Sequence, residues 1–372
     1  METTTEPTSS VHIRTPVNTY RIIQIILAIS FSLYLIWRFY QVLIANPAYG
    51  PDTWLRFALA GIILGSVYAL IAIGYTLVYG ILFMINFAHG DIMMLGSFGG
   101  FFVFEAAKNV TVGSVNGTDI IFANAHPVIT IVLAFLVGMA VASISGYYLE
   151  RIAYRPLRSA PRLVPLISAI GASIFLENAA QLLFGSQRRD YANPIDLQRG
   201  TGWMVNVGGA DVIIPYTGVF TIVLSIIIMI VLYQLVQRTQ FGRAMRAVAE
   251  NKQVASLMGI DVDGVISRTF ILSGALAGAA GVMWGIHLGL VYYYVGFIPG
   301  IKAFTAAVLG GIGNIPGAML GGLFLGIVES IGPAILGISF QLKDVIAFVI
   351  LVLVLIFRPT GILGEVLTED KV

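Results

Sequence analysis

"NFAHGDIMMLGSFGG", residues 86–100, is an apolar stretch opened by Asn86, His89 and Asp91 and punctuated by glycine. It follows a long apolar run at 54–85 and gives way after Phe104 to Glu105 and Lys108. That leaves 91–104 shorter than the roughly 20 apolar residues a bilayer requires. Elsewhere, long apolar runs recur at 22–45, 127–149, 163–184, 214–236, 265–295, 315–335 and 340–357, and a second short one lies at 301–312. Of the 372 residues 58% are hydrophobic and only 11% charged, where an average soluble domain carries about 25% charge. A helix satisfies its own backbone polar groups in lipid and an open sheet does not. The fold class is therefore all-α, a polytopic integral membrane protein of about 8 to 10 transmembrane helices.

The second short segment, "GFIPGIKAFTAAVLGG" at 296–311, shares an outline with the first: Phe, two residues, Gly, a short apolar stretch, then Gly-Gly. Glycine- or proline-interrupted segments at matching places in two halves mark the substrate path of many transporters. The expectation is two broken or short segments in a weak internal repeat. Most of the 41 glycines have a plainer duty. Gly61 and Gly65, Gly274 and Gly278, Gly281 and Gly285, Gly317 and Gly321, and Gly322 and Gly326 are spaced small-xxx-small, which lets helix backbones approach closely in lipid. Function is expected of those beside the breaks, Gly90, Gly300, Gly313 and Gly317.

Charge distribution sets orientation. Arg151, Arg155, Arg158 and Arg162 crowd one loop, and Arg238, Arg243, Arg246 and Lys252 another, with two spans between them. Both loops are then cytoplasmic by the positive-inside rule. Residues 105–126 and 185–213 fall outside, the latter setting Arg188, Arg189 and Arg199 against Asp190, Asp196 and Asp211. The first apolar run reads as a retained anchor rather than a secretory signal, being longer than the usual h-region of about 7 to 15 residues. It also contains Trp37 and Arg38 and precedes no A-x-A site. The organisation expected is a polar tail at 1–20, an extra N-terminal transmembrane helix at 21–46, a transmembrane domain at 54–364 and a short tail at 365–372. A cytoplasmic segment at 238–263 interrupts the domain.

Ionisable residues at bilayer depth are costly and normally face a bundle interior or a wet cavity. Asn86, His89, Asp91, Glu177, Lys302, Gly313 and Asn314 are the candidates for a translocation path. For Asp91 two readings stand: a cap on the helix start, and contact with the path. For Glu177 they are a buried carboxylate hydrogen-bonded to a neighbouring helix and a path residue. No catalytic signature is present, neither His-Glu-x-x-His nor Gly-x-Ser-x-Gly. The absence of cysteine and the scatter of His12, His89, His126 and His287 suggest no metal site. Lys108, Lys252, Lys302, Lys343 and Lys371 never follow a glycine, so there is no phosphate-binding Gly-Lys-Ser/Thr. Nucleotide energy must come from another polypeptide.

Within "GRAMRAVAENKQVASLMGIDV" (242–262), Asn251 is a good N-cap and Gly259 a good residue just past a C-terminus. They leave 252–258 as a helix of about two turns. At 1.5 Å per residue it reaches roughly 10 Å, too short to cross a bilayer. Val254, Leu257 and Met258 share one face. That face either dips into lipid or is presented to a soluble partner, with Arg243 and Arg246 supplying charge beside it.

Five blocks in order resemble one family: "GSVYALIAIGYTLVYGILFMINFAHGDIMMLGSF" (65–98), "ERIAYRPLR" (150–158), "ISAIGASIFLEN" (167–178), the 242–262 block and "AFTAAVLGGIGNIPGAMLGG" (303–322). They look like the permease of branched-chain amino acid ABC importers, the LivH type, over about 54–364. The resemblance implies that Asn251 to Gly259 is a coupling helix docking on an ATP-binding subunit, Ala255 and Gly259 matching the family's spacing. It implies as partners two ABC ATPases, a paralogous permease in a heterodimer and an extracytoplasmic substrate-binding protein. The surroundings would be a bacterial inner membrane crossed many times, with no nucleic acid and no cofactor on this chain, ATP being bound by the partners. Three other readings are a urea or short-amide permease, an ion-coupled amino-acid transporter using Asp91, Glu177 or Glu329, and a membrane subunit without transport. The first 50 or so residues depart from the family pattern.

Overall fold

A computed structural model describes residues 19–45, 49–115, 118–158, 160–161, 163–191, 200–358 and 360–364. Most of the expected polar tail at 1–20, the tail at 365–372, and Arg162, Asp196 and Arg199 lie outside these residues. The chain divides into two units, 1–48 and 49–372. The first contains α1 (Thr19–Tyr40), which passes into a π turn at Gln41–Ala45.

The second unit is built on helices: α2 (Pro51–Leu82), α3 (His89–Lys108), α4 (Phe122–Ala125), α5 (Pro127–Leu149), α6 (Leu163–Phe184), α7 (Tyr216–Arg238), α8 (Gln240–Glu250) and α9 (Lys252–Leu257). They are followed by α10 (Val262–Leu288), α11 (Phe297–Gly310), α12 (Ile315–Leu336) and α13 (Lys343–Phe357). Among the described residues eight helices are long and apolar enough to cross a membrane. The sequence reading is corrected at α3. It is a full 20-residue helix and counts among those eight, because it starts at His89 and runs on beyond the apolar stretch through Glu105 to Lys108. Among the described residues α11, at 14 residues, is the apolar helix too short to be counted with them.

Small two-stranded sheets cap the connections: β1 (Thr111–Val115) with β2 (Thr118–Ile121), and β4 (Gly202–Val207) with β5 (Ala210–Pro215). In the third, β3 (Arg189–Asp190) pairs antiparallel with β6 (Leu290–Val291). This pairing holds the segments after α6 and α10 together at one end. At the other end Arg155 and Arg158 meet Asp263 beside α9, so the two arginine-rich loops share a side, as their charge predicts.

α2, α3 and α10 form the buried centre. Their neighbours correspond in pairs: α2 packs on α12 as α10 packs on α5, α2 on α11 as α10 on α3, and α3 on α5 as α11 on α12. The set α2–α3–α5 is thus repeated by α10–α11–α12, and the charge-based topology runs α2 and α10 in opposite directions. Lipid gives apolar side chains no reason to prefer each other over acyl chains, so these contacts depend on close fit. A Cβ at Gly65 would lie 2.8 Å from the Leu323 Cα, and one at Gly61 2.8 Å from that of Ile327. Gly322 and Gly326 press back on Ala69 and Gly65. Gly274 and Gly278 do the same between α10 and α5, and a Cβ at Gly278 would stand 2.8 Å from the Met139 Cα. Gly281 against α3, and Gly317 and Gly321 against α11, lie at such crossings too, while Gly285 makes room for the Tyr191 ring.

Candidate translocation cleft and coupling segment

The two glycines matched in the sequence repeat touch. A Cβ on Gly300 would lie 3.0 Å from the Gly90 Cα, and one on Gly90 2.6 Å from the Gly296 carbonyl oxygen. The N-termini of α3 and α11 therefore cross at the meeting point of the two halves. Beside this crossing opens a cleft of about 430 Å³ with three walls. Tyr75, Phe87, Gly90 and Asp91 form the first, Ile170, Ser173, Ile174 and Glu177 of α6 the second, and Phe297, Gly300 and Ile301 the third. A smaller, open space of about 330 Å³ adjoins it through Glu177 and Phe297 and is lined also by Tyr293 and Tyr294.

Of the expected path residues, Asp91 and Glu177 line this cleft. Asp91 is no N-cap: Ala88 holds that position and makes no side-chain capping bond. Asp91 sits in the first turn, where a negative charge suits the positive end of the helix dipole. It is buried, and neither carboxylate oxygen has a hydrogen-bond partner. Glu177 is half-buried on the facing wall rather than sequestered against a neighbouring helix.

The other expected path residues do not line the cleft, and the structure gives each a packing duty. Asn86 accepts a 3.1 Å hydrogen bond from the Tyr154 hydroxyl. His89 is fully buried, edge-on to the Tyr75 ring at 4.7 Å, with Nδ1 3.4 Å from the Ser273 hydroxyl. Lys302 is 3% exposed and donates to Glu329 at 2.7 Å and Asp344 at 2.6 Å. Glu329 also accepts from the Tyr68 hydroxyl at 3.1 Å, so its charge is committed. Gly313 takes a positive φ of 97° in the turn after α11. Asn314 caps α12 by accepting from the Gly317 backbone N–H, and its amide donates to the Leu363 carbonyl. The cleft lies at the N-terminal end of α11, whereas Gly313 and Asn314 follow its C-terminal end. Ser173, Tyr75 and the Tyr293–Tyr294 pair escaped the sequence reading because such side chains acquire a site only through tertiary packing.

The segment expected to couple, α9, is formed by local chemistry. The Asn251 side chain accepts from the N–H groups of Gln253 and Val254, and Gly259 turns the chain at a φ of 82°. The helix closes at Leu257, with Met258 as its C-cap rather than its last helical residue. Leu257 is 87% exposed, Met258 78% and Val254 53%. Ala255, grouped with them in the sequence reading, is 3% exposed and faces inward, where a larger residue would lift the helix off α8 and α10. Arg243 is exposed, while Arg246 donates back to the Val236 carbonyl and fastens α8 to the end of α7. Lys252 packs toward Arg158, and burial together with that guanidinium holds its ammonium below the ordinary lysine range.

The family described as branched-chain amino acid transport system, permease component, matches residues 57–355. The high-affinity branched-chain amino acid transport system permease protein BraD of Pseudomonas aeruginosa is 46% identical over 305 residues, 82% of this chain and 94% of that protein. LivH of Escherichia coli K12, of the same description, is 46% identical over 307 residues with the same coverage. A probable branched-chain amino acid transport permease of Methanocaldococcus jannaschii is 29% identical over 324 residues, 82% of this chain and 90% of that protein.

Proposed function

Because this chain belongs to the family of branched-chain amino acid transport permease components, we propose that it is the membrane subunit of an ABC importer of hydrophobic amino acids. It does no chemistry of its own and binds no cofactor. Two ATPase subunits bind and hydrolyse ATP, a paralogous permease completes the membrane part, and an external binding protein delivers the solute across a bacterial inner membrane.

The observation that carries this reading is α9. An isolated helix of two turns is marginal in water, yet this one is capped at both ends and presents Val254, Leu257 and Met258 to solvent beside exposed Arg243. A solvated apolar knob flanked by a cation suits a groove in a soluble partner. The ion-coupled alternative finds less support, since Glu329 is bound by Lys302 and Tyr68.

The cleft suits a hydrophobic zwitterion. Phe87, Ile170, Ile174, Phe297 and Ile301 match an aliphatic side chain, and Asp91 and Glu177 match an ammonium group. The N-termini of α3 and α11 match a carboxylate. Burying a leucine side chain contributes about 2 kcal/mol, and a millimolar dissociation constant corresponds to about 4 kcal/mol. Apolar contact alone thus leaves the solute loosely held, as passage requires, and selectivity falls to the external binding protein. A urea molecule would meet apolar walls that answer few of its hydrogen bonds.

The test is co-purification with the neighbouring ATPases and ATP-dependent leucine uptake in vesicles, with and without Leu257→Glu. Loss of ATPase binding and of uptake is expected. A charged variant that still binds the ATPases and transports normally overturns the assignment.

A further inference from the structure

The block "ERIAYRPLR" (150–158) has no part in the cleft or in α9, yet it touches the supports of both. Here α5 unwinds into a π turn over Glu150–Tyr154 and a 3-10 turn over Arg155–Leu157. Mid-helix π geometry is uncommon and recurs at functional positions.

On one side of this turn Arg155 and Arg158 both bond Asp263, in the first turn of α10 and four residues beyond Gly259. Arg158 reaches with its second nitrogen to Glu150, whose other oxygen accepts from Ser267 at 2.7 Å. Glu150 is fully buried, so its charge depends on these two partners. On the other side the Tyr154 hydroxyl donates to Asn86 Oδ1 at 3.1 Å, in the turn that leads into Phe87, Gly90 and Asp91. The Ser168 hydroxyl donates to the Ala153 carbonyl at 2.9 Å, fixing the start of α6 two residues before Ile170. Two of the three cleft walls therefore hang from this turn. Burial, together with the Arg158 guanidinium, holds the Lys252 ammonium at the start of α9 below the ordinary lysine range.

We propose that the 150–158 turn is the relay by which movement of α9 reaches the cleft, with Arg158 as its receiving residue and Tyr154 as its transmitting one. This rests on the coupling role given to α9 above. A push on α9 acts on Asp263, the guanidinium fork passes it to Glu150, and the turn moves the α2–α3 connection and the start of α6 together. A lysine at 158 brings one nitrogen where the guanidinium brings two in a fixed plane, so the rigid link between Glu150 and Asp263 is lost. Arg158 and Tyr154 are positioning residues; neither lines the cleft.

The experiment uses the complete transporter, with its ATPases, paralogous permease and binding protein, in vesicles. Leucine imported per ATP hydrolysed is measured for Arg158→Lys, Tyr154→Phe and the double variant, with the unfolding temperature and bound ATPase recorded for each. Each single variant is expected to keep its ATPases and near-normal unfolding temperature while losing about fivefold in leucine per ATP. The double variant is expected to lose no more than the worse single one, because both break one path. Normal leucine per ATP in either single variant overturns the relay. So do losses that multiply in the double variant, and so does dissociation of the ATPases from Tyr154→Phe. Leu257→Glu, run alongside, separates the two readings: if it sheds the ATPases while Tyr154→Phe transports normally, only the relay is wrong. If it keeps them, the coupling role falls and the relay with it.

Discussion

Asp91 and Lys302 follow, by one and two residues, the glycines at which α3 and α11 touch. The helices are counterparts in the repeat, yet the two charges have opposite circumstances. Asp91 is buried without a hydrogen-bond partner and faces the cleft. Lys302 lies between Glu329 and Asp344, over the Tyr68 ring at 5.9 Å, and ties α11 to α12, α13 and α2. An unpaired buried carboxylate costs stability, whereas a lysine bonded to two acids answers its own charge. The two helices share a glycine at their crossing but not their polar residues: α3 places Asp91 on the cleft wall, whereas α11 uses Lys302 as a clasp.

This contrast fixes an order of expected effects on stability. Lys302→Met leaves the buried Glu329 carboxylate with the Tyr68 hydroxyl and, at 3.6 Å, the half-exposed Lys343, and should cost about 3–5 kcal/mol. Thermal unfolding in detergent reads this, and Lys302→Met combined with Glu329→Leu should recover most of it. A single variant as stable as the native chain would show that the clasp holds nothing. Gly300→Ala comes next: its methyl would stand 3.0 Å from the Gly90 Cα, so the helices must part, at about 1–3 kcal/mol. An unchanged unfolding temperature there would remove the crossing from the account. Asp91→Asn removes a buried charge that has no hydrogen-bond partner and should raise stability by about 1 kcal/mol, while leucine uptake falls about tenfold. If uptake holds and stability drops instead, Asp91 is a packing residue like Lys302. Smallest of all is Leu257→Ala on the isolated chain, within about 0.5 kcal/mol for an exposed side chain. Its ATPase affinity should nonetheless weaken by more than about 1 kcal/mol, as a pull-down titration would measure.

The spans were legible because bilayer length and apolar run length are the same quantity, and the glycine pairs because a four-residue spacing is one face of a helix. The short helix α9 was legible for a local reason: Asn251 caps it and Gly259 turns the chain within the segment itself. α3 was misjudged because Glu105 and Lys108 end the apolar run before the helix ends. Lys302 was misjudged because a sequence shows an acid and a base but not that Glu329 and Asp344 reach the same ammonium. The cleft was half legible. Asp91 and Glu177 stand out as charges in oily runs, whereas Ser173, Tyr75 and the Tyr293–Tyr294 pair gain meaning only where α2, α6 and the approach to α11 converge.

The central claim is that solute passes through the cleft between Asp91 and Glu177 under the drive of partner ATPases. The chain has no cysteine, so Ser173→Cys places a single thiol in the cleft wall for a bulky maleimide, with the native chain treated identically as control. ATP-dependent leucine uptake by the complete transporter should survive the substitution and stop on labelling, with the ATPases still bound. Undiminished uptake after complete labelling would contradict the claim.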